Sequence, residues 1–105
     1  MSATSTIFHT GSLLAGRHSA IGETKGQVLL DKNGQKVIFK TFQAGEVMPT
    51  HDAPMDVLVT VLAGRLIITV ADTPTEVEAG DFVIIPAKER HSLTCLEPAR
   101  ILIYR

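Results

Sequence analysis

From residue 26 onward the chain is a succession of short apolar segments cut by turn residues, and no long stretch keeps a helical repeat. GQVLLD is followed by KNG, where Asn33-Gly34 supplies the two positive-φ residues that a tight hairpin needs. QKVIFKTFQ runs back, rich in Val, Ile and Phe. Ala44-Gly45-Glu46 breaks it, VMPTHD follows, and after a turn around Ala53-Pro54 comes VLVTVL. Ala63-Gly64 makes the next corner and RLIITV the next strand. ADTPT turns, TEVEAG is a short strand, Gly80-Asp81 turns again, and FVIIP, HSLTCL and RILIYR complete the set. Such punctuation predicts an all-β barrel or sandwich with little or no helix.

With 105 residues there is room for one modest core. The expected division is a single barrel domain over residues 26–105, preceded by an N-terminal arm or edge strand over residues 1–25. VLVTVL, RLIITV, FVIIP and RILIY are apolar on both faces, whereas a strand with one side in water should alternate. Burial on both sides predicts that the outer face meets a second sheet, the arm or another subunit. A homodimer is the expected assembly, because two-fold dimers are the commonest closed oligomers; the competing expectation is a thick two-sheet sandwich that stays monomeric.

The formal net charge is −1, with Lys and Arg dispersed along the chain, so there is no electrostatic footprint for nucleic acid or an anionic membrane. The apolar runs are far too short to span a bilayer as helices. MSATSTIFHTGSLLAG lacks the basic start and continuous apolar centre of a secretory signal. One cysteine, Cys95, permits no disulfide within the chain and suits a reducing compartment. A cytoplasmic domain without nucleic-acid or membrane partners is the expectation.

Two spacings carry chemistry. Gly45 is followed after five residues by His51, then by a turn and a strand reaching Gly64. Gly80-Asp81-Phe82-Val83-Ile84-Ile85-Pro86 is followed by His91. The glycines permit corners that a side chain would obstruct, and Pro86 ends a strand where no ladder donor is needed. These stretches resemble the two signatures of the cupin family, G-x5-H-x-H-x(3,4)-E-x6-G and G-x5-P-x-G-x2-H-x3-N. The resemblance centres on residues 45–91 and extends over roughly residues 26–104. It implies a jelly-roll β-barrel in which His51 and His91, from separate strands, share one mouth.

In metal-binding cupins the first signature gives two histidines and a glutamate, and the second gives one histidine. Position by position, His51 and His91 match the outer two. Ala53 stands where the second histidine belongs, Val57 where the glutamate belongs, Lys88 at the second signature's glycine and Cys95 at its asparagine. Two neutral imidazoles leave most of an octahedral Fe, Mn or Ni shell unfilled, and catalytic Zn wants three protein ligands. Any such divalent metal is expected to be held weakly. Cys95, four residues after His91 and so on the same strand face, is the third candidate ligand; free cysteine is also a common inert core residue. Asp52 and Asp56 are out of phase, although a bulge would turn Asp56 inward. Met48 and Met55 read as rim or core packing, and Lys88-Glu89-Arg90 as a solvated turn. His9 and His18 fall outside the signatures.

Three functions follow. The leading expectation is a binding module for a small polar or aromatic molecule, in a cavity lined by Ala53, Val57 and Cys95 beside the two imidazoles. The second is a metal-dependent enzyme of the dioxygenase, isomerase or decarboxylase kind that the resemblance implies, using His51 and His91. The third is a metal-free epimerase or isomerase with one of these histidines as base. Its weakness is the missing acid: the one tyrosine, Tyr104, lies near the C-terminal end on what reads as an outer strand.

Overall fold

A computed structural model of the chain describes residues 10–14 and 26–105. Among these there are seven strands and no helix. β1 (Gly26–Lys32) and β2 (Gln35–Phe42) form a hairpin closed by Asn33 and Gly34, at φ 54° and 79°, as their sequence requires. β3 (Val47–His51) leads through a turn into β4 (Val57–Val70), then come β5 (Thr73–Glu78), β6 (Phe82–Ile85) and β7 (His91–Tyr104). Every pairing is antiparallel.

β4 and β7 organise the molecule. They pair with each other along their whole length, and each half takes a different outer neighbour. The first half of β4 pairs with β6 and the second with β5. The last residues of β7 pair with β2 and the first with β3. Two layers result, β1-β2-β7-β4-β6 and β3-β7-β4-β5, joined by the two strands common to both. This is the all-β barrel that the strand pattern predicts, with the jelly-roll closure that the resemblance implies.

One expectation is corrected here. Ala63-Gly64 does not separate two strands; it is a bend inside β4. HSLTCL and RILIYR are likewise the two halves of β7. Register slips repeatedly between Val61 and Leu66, which turns the ladder from one layer into the other. Gly64 makes the bend possible, with φ 82° and its α-carbon pressed against the Pro98-Ala99 backbone.

Inward side chains alternate along the shared strands: Val57, Val59, Val61, Leu66 and Ile68 from β4, with Leu93, Ile101 and Ile103 from β7. Leu66 and Ile101 are wholly buried, and side chains of this size each contribute roughly 1.5–3 kcal/mol when fully removed from water.

The opposite face of the larger layer is also apolar. Register places Ile84, Leu58, Tyr104, Val37 and Leu30 in one row across five strands. Arg100 on this face donates to the Leu13 carbonyl at 2.8 Å and also to that of Leu14. The rest of the expected arm, with His9 and His18, lies outside the described residues. Phe39 on this face is buried, whereas Ile84 and Leu30 remain about 60% exposed, so the face is covered only in part. Tyr104 lies here too, on the central strand β7 rather than an outer one, with its side chain turned away from the barrel interior.

Candidate functional site

β3 and β7 pair so that His51 stands directly opposite His91. Their ring centroids are 4.2 Å apart, with the planes inclined at 60°. His91 is buried and His51 exposed at the rim. The same local device fixes both rings: His51 Nδ1 lies 2.9 Å from the Pro49 carbonyl, and His91 Nδ1 lies 2.9 Å from the Glu89 carbonyl. A carbonyl only accepts, so each Nδ1 carries the proton and donates it. In its neutral form each ring is then left with an Nε2 lone pair, and no described residue partners that atom.

Two loops close round this pair. The Lys88 amide donates to the Ala53 carbonyl at 2.7 Å, and the Ala87 amide to Asp56 Oδ1 at 2.8 Å. Asp56 thus ties the β3–β4 turn to the β6–β7 turn and does not turn inward as a ligand. Lys88 takes the left-handed φ of 68° at the position where the resemblance places glycine. The lashing holds Ala53 and Val57, both buried, against the imidazoles.

His51, His91, Ala53 and Val57 line a cavity of about 90 Å³ between the two layers, walled further by Ile68 and Ile101. That is below the roughly 300–1,000 Å³ of pockets for drug-sized ligands.

Cys95 does not line this cavity. It sits on the inward face of β7 as expected, but opposite Leu66 beside the Gly64 bend, and its thiol donates to the Glu97 carbonyl at 2.9 Å. Burial pushes the thiol above its usual range, while the Ala99 backbone amide pulls the other way. A buried thiol held protonated is a poor ligand and a poor nucleophile. Same face is not same site: four residues along a strand cover about 13 Å.

The donor set does not fit a resident metal. No cluster of three or more His, Cys, Asp or Glu side chains suited to a metal occurs among the described residues. Two neutral imidazoles supply neither the ligand number nor the negative charge that a tightly held divalent ion needs. Lys40, on the inward face of β2, and Arg105 also border the cavity. Lys40 is not legible as a site residue in the sequence, because β2 carries apolar residues on either face and its pattern does not tell which side is inside.

No helix of the described residues is long and apolar enough to cross a membrane. Residues 38–104 match the family model described as "Cupin domain". No curated protein matches the chain. Among solved structures, a conserved protein of unknown function from Streptococcus pyogenes is 22% identical with a TM-score of 0.74, the match covering 99% of this chain and 93% of that one. A Cupin 2 conserved barrel domain protein from Leptotrichia buccalis is 30% identical with a TM-score of 0.72, over 75% of this chain and 38% of that one. A salicylate 1,2-dioxygenase from Pseudaminobacter salicylatoxidans is 18% identical with a TM-score of 0.65, over 67% of this chain and 20% of that one.

Proposed function

The chain belongs to the cupin domain family, and on that premise we propose that it is a binding protein that takes a small polar or aromatic molecule into its barrel cavity without turning it over. The observation that carries this reading is the pair of imidazoles with both Nδ1 protons committed to backbone carbonyls and both Nε2 atoms unpartnered beside a small apolar-walled cavity. Apolar walls with a few fixed polar atoms are what a small-ligand site consists of.

The enzymatic readings ask for more. A metal-dependent reaction needs the shell that Ala53 and Val57 do not supply. An epimerase on a nucleotide sugar needs an acid opposite its base and more room than about 90 Å³; Tyr104 faces out of the barrel.

Titration of ¹⁵N-labelled protein with a panel of small alcohols, amides, acids and phenols, in buffer containing EDTA, tests the proposal. Amide shifts are expected to concentrate at His51, Ala53, His91 and Ile101, to weaken in His51→Ala, and to leave the added molecule chemically unchanged. Shifts confined to the outer row around Ile84 and Tyr104, or none with any compound, would contradict it.

A further inference from the structure

The charge around the cavity narrows the ligand class. Lys40 and Arg105 border it, and no carboxylate side chain does. Lys40 shares the inward face of β2 with Ile38 and stands opposite Ile101 on β7. Its half-buried ammonium meets Met48 Sδ at 4.0 Å, and it forms no ion pair among the described residues. A thioether is a weak acceptor, so the ammonium keeps donors available for a stronger one. Arg105, whose backbone is tied in both directions to Lys36, four residues along β2 from Lys40, also borders the cavity. An anion beside Lys40 would meet a positive charge that no cavity-lining carboxylate side chain offsets.

The imidazoles impose a complementary demand. In neutral rings tied through Nδ1, the Nε2 atoms accept and do not donate, so a bare carboxylate beside them would set lone pair against lone pair. A hydroxyl on the same molecule answers them with a proton. The volume then limits the carbon skeleton to a few atoms.

Resting on the cavity-binding reading above, we propose that the ligand is a small hydroxy acid, with its carboxylate on the Lys40 ammonium and its hydroxyl donated to an imidazole Nε2. Lys40 is on this account the residue that selects anions. The histidines select the hydroxyl, and the apolar walls accept the short carbon chain.

The test compares three probes of similar size in mildly alkaline buffer with EDTA: lactate, neutral lactamide and propanoate, which lacks the hydroxyl. Affinities come from amide shifts on wild type, Lys40→Met and Lys40→Arg. Lactate is expected to bind wild type at least about tenfold tighter than lactamide, the scale of one charge-assisted hydrogen bond, and about fivefold tighter than propanoate, the scale of a neutral one. Lys40→Met is expected to lose about tenfold for lactate while leaving lactamide unchanged, and Lys40→Arg to keep most of the affinity. The native dispersion of each variant's spectrum monitors folding. Lactamide binding as tightly as lactate, propanoate binding as tightly as lactate, or lactate binding that is indifferent to Lys40→Met would each overturn the hydroxy-acid proposal and leave cavity binding intact. Absence of cavity shifts with all three overturns this proposal, and the broader panel above decides separately whether the cavity binds anything.

Discussion

Gly64→Ala is expected to remove most of the stability of the domain. A Cβ at this position would lie 2.1 Å from the Pro98 carbonyl oxygen and 2.6 Å from the Ala99 α-carbon. Both are backbone atoms of β7, the strand that pairs with β4 throughout, so neither can step aside without opening the ladder that joins the two layers. The left-handed φ of 82° adds roughly 1–2 kcal/mol for any side chain. A total loss of about 4 kcal/mol or more belongs to the exceptional class of substitutions. It is comparable with the whole stability of a small domain, roughly 5–15 kcal/mol. Gly45→Ala is the control: φ there is 88°, but a Cβ would meet nothing within 4 Å. Its cost should be the conformational part alone, about 1–2 kcal/mol. Urea unfolding of the two variants decides the matter. Equal midpoints would mean that β4 and β7 do not cross as closely as described.

The second large effect is a gain. Ala53→His combined with Val57→Glu is expected to turn the cavity into a strong divalent-metal site. Both positions border the cavity with His51 and His91, so the change raises the protein ligands from two to four and adds the missing negative charge. Affinity for Zn or Mn should rise at least about a hundredfold, since ligand number and charge set it. Stability should respond in a sign-specific way. Val57 is buried, and an ionised carboxylate there without a partner costs several kcal/mol. The metal-free double variant should therefore melt well below wild type. Metal at a hundred times its dissociation constant should return about 2.7 kcal/mol. Mass spectrometry of metal content after dialysis, with calorimetry in metal and in chelator, reads both halves. A double variant that retains no more metal than wild type would show that positions 53 and 57 do not face the imidazoles.

Much of this architecture is legible in the residue order because turns are local. Asn33-Gly34 announces its own backbone geometry, and the spacing from Gly45 to His51 and from Gly80 to His91 fixes which strands end at the mouth. The departures at Ala53, Val57 and Lys88 are equally plain, and two of them border the cavity. What escapes the sequence is non-local. A glycine corner such as Gly64 looks the same whether the strand stops there or bends and continues. Cys95 shares a face with His91, yet periodicity gives direction without distance. Lys40 sits in a strand whose two faces are both apolar, so only pairing with β7 reveals that it points inward. Asp56 could not be assigned until the partner turn at Ala87 was in place.

The account rests on two neutral imidazoles, each pinned through Nδ1 and offering Nε2 to one small cavity. Long-range ¹⁵N–¹H spectra of the histidine rings read this directly. The prediction is that His51 and His91 both show a protonated Nδ1 and an unprotonated Nε2, and that a cavity ligand moves both Nε2 resonances together. Either ring in the opposite tautomer, or a ligand that shifts neither Nε2, would contradict it.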